Sequence, residues 1–509
     1  MKNQTNAKAI SALNVATTAK TLMIGTGVLF GAAILAGQSL AESHEVIIET
    51  HGFSTFGDLK YSADFPFHDY VNPEAPKGGE VSIATQGTFD SMNAYATTKG
   101  TPGAMSTTPY ERILAGTMDE VSGAYCYLCT TLEYPESKDW VIFNLRDNIK
   151  FSDGTPMTAA DIVFSHNIMM EQGTSSWSSA VSQLIASVEA LDDYTVKYTF
   201  VEGAPRSGLI EQAGSTVAWS KKWYEETGAR LDESRLEISP GTGPYMLDSI
   251  DVGRRISYKR NPDFWGADIP ANIGHNNFDT IRIEYFADSQ AGFEAFKAGE
   301  VTFRQENSSL SWATGYDFPA LEKEWVTREE IADGSLPTAT GFVFNLRREK
   351  FQDVRVRRAI GMMFNFTWTN DTLQYGLFQQ RQSFWHGSDL EAKGVPEGRE
   401  LELLQSVADL IDPAILTDVA FPAYESGDRQ LDRNNLRNAL GLMEEAGFTS
   451  GDDGLLRDAD GNTLQIEFLE TRQSFDRILT PYIDNLKKLG VDITYNRVDP
   501  SQYQARTQS

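Results

Sequence analysis

Cys126 and Cys129 are the chain's two cysteines, in the spacing Cys-Tyr-Leu-Cys. A pair so placed can bind zinc, exchange disulfides or close a local bridge. Zinc needs a second pair of ligands that the sequence does not supply, and redox work needs the pair at a helix start, whereas residues 125–132 read as apolar strand or loop. Structural thiols or a local disulfide remain. The six histidines are scattered, and the irregular spacing of His44, His51 and His68 argues against a metal set. Asp458–Asn462 (DADGN) resembles a calcium loop, but Thr463 stands where glycine is required, so the run reads as a hairpin turn. There is no Gly-x-Ser-x-Gly elbow, no His-Glu-x-x-His and no phosphate loop ending in Gly-Lys-Ser/Thr. A hydrolase built from carboxylates distant in sequence is the catalytic alternative, distinguished by whether a peptide is turned over or returned unchanged.

The remaining polar and aromatic groups are suited to holding a ligand. The strand Val81–Thr85 runs into the polar loop Gly87–Asn93 (GTFDSMN), and ligands of open α/β sheets sit at the carboxyl ends of strands. A polar turn is the plain reading of the same loop. Trp368, Tyr375, Phe378, Phe384 and Trp385 follow one another in a loop-rich stretch whose rings can cover an extended chain or make a core.

The elements that position these groups are legible. In Trp140–Met170, Val141, Phe143 and Leu145 alternate with the period of a strand, and Asp153-Gly154 makes a turn. Thr158 and Asp161 then have capping-box spacing at the start of a helix. A block of helix, strand, turn and helix is expected between Tyr110 and Leu191, followed by a strand ending at Phe200. A strand pair, 243–247 and 255–259, flanks a turn at 251–253. Ile281–Phe286 is a strand, Asp288 caps the next helix, Gly299 ends it, and Val301–Phe303 is a further strand. Glu306–Tyr316 is polar with an exposed Trp312. Gly341–Asn345 reads as a strand, Val354–Phe364 and Leu431–Phe448 as helices, and Ile478–Leu489 as a helix capped by Gly490 before the strand Val491–Val498. The repeated strand-helix-strand order implies an α/β protein, while residues 42–80, rich in Pro and Gly, read as an extended lead-in.

At 509 residues the chain is too long for one core, and with 41% hydrophobic and 23% charged residues it is globular in composition. Leu22–Gly37 is a short apolar run preceded by Lys2, Lys8 and Lys20 and followed by Ser39-Leu-Ala41, the pattern of a cleavable secretory signal. The run falls short of the ~20 residues of a membrane span, and no cysteine follows it to carry a lipid. Cleavage after Ala41 removes three lysines and no acid, taking the formal charge from −27 to −30. That balance argues against nucleic acid or an anionic membrane as partner.

The signature stretch Trp140–Met170 resembles that of the family 5 extracellular solute-binding proteins, the peptide- and nickel-type receptors of ABC importers. So do Gly241–Tyr245 (GTGPY), Tyr258–Gly266 (YKRNPDFWG), Phe293–Gly299 (FEAFKAG) and Phe351–Ala359 (FQDVRVRRA). Tyr70–Gly79 and Gly87–Asn93 resemble the YejA-like branch, associated with oligopeptide and microcin C uptake. The resemblance implies a bilobed α/β fold of the type II periplasmic binding protein class with an extra subdomain. It implies a signal peptide over 1–41, lobe I from 42–92 and 187–336, the extra subdomain from 93–186 and lobe II from 337–509. It further implies a periplasmic monomer, not an enzyme, with no cofactor or metal, that binds oligopeptides or peptide-like compounds in the inter-lobe cleft and presents them to an ABC permease. Nickel chelates, haem and opines are alternative ligands. Carried over by region, the ligand-binding residues are Thr88, Phe89, Asp90, Asn93, Trp312, Asn345, Phe384 and Trp385. Family members usually continue with a segment returning to lobe I, so a chain ending at Ser509 is expected to lack part of the site.

Overall fold

The computed structural model describes residues 46–508 except 96–99, 121, 332–340, 389 and 421–422. The signal expected over 1–41 lies outside the described residues.

Val141 and Phe143 are fully buried and Leu145 nearly so, as their alternation requires, and Val196, Tyr198 and Phe200 repeat the pattern on the neighbouring strand. The two strands, Trp140–Leu145 and Thr195–Phe200, pair antiparallel, with the Phe143 and Tyr198 rings edge to face at 5.8 Å. They are the centre of an antiparallel five-stranded sheet ordered Ile47–Thr50, Cys129–Pro135, Trp140–Leu145, Thr195–Phe200, Ile185–Asp192. The helix Ala159–Gln172 covers this sheet through Ile162, and the buried cluster runs from Phe53 to Ala218. A boundary between residues 186 and 187 therefore falls inside a sheet strand, and the core it would end continues to Ala218.

Two expectations change here. The lead-in 42–80 is not free of core: Ile47–Thr50 is an edge strand, and Gly52–Ser54 pairs with Gly123–Cys126 beside Leu114–Gly116. Phe53 and Tyr61 are buried. Also, the block after Tyr110 opens with those short strands, not a helix, because Ile113 and Leu114 pack inward against the strand Gly123–Cys126. Cys126 and Cys129 are joined by a disulfide that links the two sheets where one strand gives way to the next.

A second sheet has the order Tyr245–Asp251, Arg255–Arg260, Thr280–Phe286, Glu80–Gln86, its last pair parallel. The first hairpin turns at Gly253, whose φ of 72° is a left-handed conformation that suits glycine. Asp288 accepts the Ala291 N–H at 2.8 Å and starts the helix Ser289–Lys297, whose Phe293 and Phe296 close on Val301 and Phe318. The strand expected at 301–303 is only one bridge, Phe303 to Ile83, with Ser82 O accepting from Thr302 and Phe303 N–H.

In the C-terminal part the helices Val354–Met362, Arg433–Glu445 and Asp476–Leu489 enclose a two-stranded parallel sheet, Gln465–Glu470 with Asp492–Arg497. Residues 341–345 do not form the expected strand. Among the described residues no sheet strand bonds to them; Phe342 leans on Phe468, Phe475 and Tyr482, while Val343 is 94% exposed. The DADGN run is a turn, with Asp458 Oδ1 accepting the N–H groups of Asp460 and Asn462, and a bridge from Arg457 to Thr463. Among the described residues no helix is long and apolar enough to cross a membrane.

Candidate ligand-binding site

The loop after the Glu80–Gln86 strand begins at Gly87, whose φ of 103° lets the chain leave the sheet. Thr88 and Asp90 are exposed there, but Phe89 is not: its ring is 1% exposed and meets Tyr285 at 4.9 Å. Phe89 is thus a core residue, turned inward by the same alternation that leaves its polar neighbours in water. Asp90 Oδ1 accepts the Thr101 N–H at 2.6 Å. Asn93 is a staple: its Nδ2 donates to Leu231 O and Glu233 O at 2.8 and 2.9 Å, and its Oδ1 accepts the Tyr95 N–H.

That staple aims Tyr95 at Trp219, edge to face at 4.8 Å. Both rings border an open cavity of about 150 Å³, completed by Trp177, His166, Thr216 and Arg112 among others. The Ala159–Gln172 helix supplies His166 and the following helix, Ser175–Val181, supplies Trp177, while Arg112 is held by a backbone bridge to Val217. Ser165 Oγ is already satisfied, donating to Asp161 O at 2.8 Å and accepting Trp219 N–H at 2.9 Å. His166 is 92% buried by its 8% exposure, and burial lowers its pKa, which keeps the ring neutral at pH 7. Arg112 makes no ion pair or side-chain hydrogen bond among the described residues. Such a cavity offers aromatic walls, a neutral imidazole and a free cation; its chemistry is recognition.

The other expected residues lie elsewhere. Trp312 sits in the helix Ser309–Thr314 and is half-buried, not exposed, because the Arg328 guanidinium lies 3.7 Å from its ring centre. Beside it Arg304 pairs with the buried Glu306 at 3.0 Å, and Tyr316 donates to the same carboxylate. Asn345 is exposed and its Oδ1 accepts the Arg347 N–H in a turn. Phe384 and Trp385 are 78% and 51% exposed. Thr101, the partner of Asp90, meets the C-terminal helix Pro500–Gln508, its Oγ1 3.1 Å from Ser501 Oγ. The structure thus groups Thr88, Asp90 and Asn93 on one loop, while Trp312, Asn345, Phe384 and Trp385 lie on separate segments.

Tyr95, Arg112, His166 and Trp177 were missed from sequence. Tyr95 lies two residues past the loop singled out, and His166 and Trp177 in or just after the signature stretch; nothing local marks Arg112. Among the described residues no group of three or more His, Cys, Asp or Glu is placed to hold a metal ion.

Residues 128–509 match the family model described as bacterial extracellular solute-binding proteins, family 5 middle. The chain is 37% identical over 489 residues to a probable peptide-binding protein YejA of Agrobacterium fabrum, covering 95% of this chain and 79% of that protein. Its fold is similar to that of the oligopeptide-binding protein AppA of Bacillus subtilis in complex with a nonapeptide. That match has a TM-score of 0.58 at 17% identity, over 86% of this chain and 77% of the other. It is equally similar to NikZ of Campylobacter jejuni in complex with Ni(L-His), with a TM-score of 0.59 at 17% identity over 83% and 74% of the two chains. These matches, and a mixed α/β architecture of the type II periplasmic binding protein class, show that the chain belongs to the family 5 extracellular solute-binding proteins, in the YejA-like branch, which are receptors and not enzymes.

Proposed function

We propose that this receptor captures oligopeptides or peptide-like compounds between its lobes and delivers them to an ABC permease, after export to the periplasm by a leader over residues 1–41. The observation that carries this reading is the 37% identity, across 95% of the chain, to a relative named as a probable peptide-binding protein. The geometry supports it. A cavity beside Tyr95 with three aromatic rings in its lining offers a pocket for one side chain, and the exposed Thr88, Asp90, Asn345, Phe384 and Trp385 offer polar and ring contacts to an extended chain. Peptides of varied sequence are held through backbone groups in wet pockets that tolerate many side chains. Closure of the lobes about the ligand then favours the state the permease recognises, by differential binding alone. The receptor acts as a monomer, with lobe II over 337–509 and Trp312 at the crossing between lobes.

Thermal unfolding of the exported protein with a mixed pool of short peptides, followed by mass spectrometry of what is retained, tests the reading. A ligand at 100 times its dissociation constant adds about 2.7 kcal/mol, a shift of a few degrees. Recovery of intact peptide is expected. A second reading, a metal chelate or other non-peptide ligand, is favoured by the fold shared with NikZ; a shift with nickel and histidine but not with peptides would support it.

A further inference from the structure

The cavity beside Tyr95 holds one charged side chain, Arg112, on a protein with a formal charge of −27. Arg112 is exposed and makes no ion pair or side-chain hydrogen bond among the described residues. The lining also includes three rings, Tyr95, Trp177 and Trp219, beside aliphatic Val181 and Ile185 and polar Gln212 and Thr216, and the buried His166 has no hydrogen-bond partner for either ring nitrogen among the described residues. A cavity of about 150 Å³ accommodates a benzene-sized group. It is far too small for a peptide and well matched to one side chain.

We propose that this cavity is a subsite for one ring-sized group of the ligand carrying a neighbouring carboxylate, and that Arg112 holds that carboxylate. The proposal rests on the solute-binding reading and names the chemistry of one end of the ligand. A planar guanidinium matches a carboxylate in two parallel hydrogen bonds, and a charge-assisted contact is about twice as strong as a neutral one. His166, neutral and without a hydrogen-bond partner among the described residues, supplies one further donor or acceptor in the lining. In a peptide the carboxylate is either the C-terminus or an acidic side chain next to the buried ring.

The test uses probes that fit the cavity alone: 3-phenylpropionate and its amide, titrated onto the full chain and followed by ligand-observed NMR. The acid should bind at least tenfold more tightly than the amide. In Arg112→Gln the two should fall within twofold of each other, with the amide unchanged and the thermal midpoint unmoved, and Arg112→Lys should restore part of the preference. Equal binding of acid and amide in the native protein, no binding of either, or a preference that survives Arg112→Gln would overturn the proposal. In parallel, Ala-Ala-Phe, its C-terminal amide and Ala-Phe-Asp-amide separate the two sources of the carboxylate. A tenfold loss in Arg112→Gln for the first peptide assigns the C-terminus, and for the third an acidic side chain. If the fragments behave as expected and no peptide binds, the subsite stands and the peptide reading falls.

Discussion

Asp161 spans two helices. Its Oδ2 accepts the Thr158 N–H at 2.8 Å, closing the start of its own helix, while Oδ1 accepts the Lys221 N–H at 2.9 Å, at the start of the helix Lys221–Thr227. The side chain is buried, and both donors belong to the free amides of a first helical turn. Asp161→Ala leaves two partly buried N–H groups unpaired and should cost about 1–3 kcal/mol. Asp161→Asn, which keeps one acceptor, should cost about half of that. Urea unfolding at pH 7 measures both.

Glu111 makes stability depend on pH in the alkaline direction. Its carboxyl is buried; Oε2 accepts the Trp265 indole N–H at 3.2 Å and Oε1 has no hydrogen-bond partner among the described residues. Burial pushes its pKa from 4.5 up to about 8. The native protein therefore holds a proton that the unfolded chain releases above pH 4.5, so the stabilisation is complete below that value and is lost as pH rises toward 8. The loss is at most about 1.4 kcal/mol per pH unit across this window. Glu111→Gln should flatten the profile and be the more stable protein at pH 8.5, which calorimetry at pH 5 and 8.5 will show.

What the sequence discloses here is what local chemistry decides. The cap at Thr158 and Asp161, the Asp288 cap and the glycines at 299 and 490 each act within one helical turn, and each is found in place. Residues 341–345 have the alternation of a strand, yet a strand also needs a hydrogen-bonded neighbour, which their composition does not encode. Phe89 sits between Thr88 and Asp90, and nothing local tells that its ring enters the cluster of Tyr245, Ile256 and Tyr258. The candidate cavity joins Tyr95, Arg112, His166 and Trp177 from separate segments, so only the packing of sheet and helices reveals it.

A pair of histidines gives a second, opposite pH response. The His68 and His275 rings meet edge on at 5.8 Å, Tyr70 stacks on His68, and His68 Nδ1 and His275 Nε2 are buried without hydrogen-bond partners among the described residues. Burial, then the proximity of His275, lowers the His68 pKa below 6.5, against the pull of Asp119, Glu120 and Asp69; burial and Lys77 lower that of His275. The unfolded chain binds more protons than the native one just below pH 6.5. Stability is thus fully present above 6.5 and declines as the solution is acidified, by at most about 1.4 kcal/mol per pH unit for each ring. In a Glu111→Gln background, which removes the opposing carboxyl response over the same range, the urea midpoint should fall from pH 6.5 to 5, and less steeply when His275→Phe is added.

Phe89 and Phe384 were both expected to touch ligand, and the structure gives them opposite energetics. Phe89 fills the core under the second sheet at 1% exposure, so Phe89→Ala opens a cavity and should cost about 3–5 kcal/mol. Phe384 is 78% exposed and Trp385 51%, and truncating either to alanine should change stability by no more than about 0.5 kcal/mol. The two exposed rings are therefore clean probes of recognition. Loss of ligand affinity in Phe384→Ala and Trp385→Ala, at an unchanged unfolding midpoint, is the expected result if these rings cover the ligand. An unchanged affinity in both would remove them from the site and leave binding to the cavity beside Tyr95.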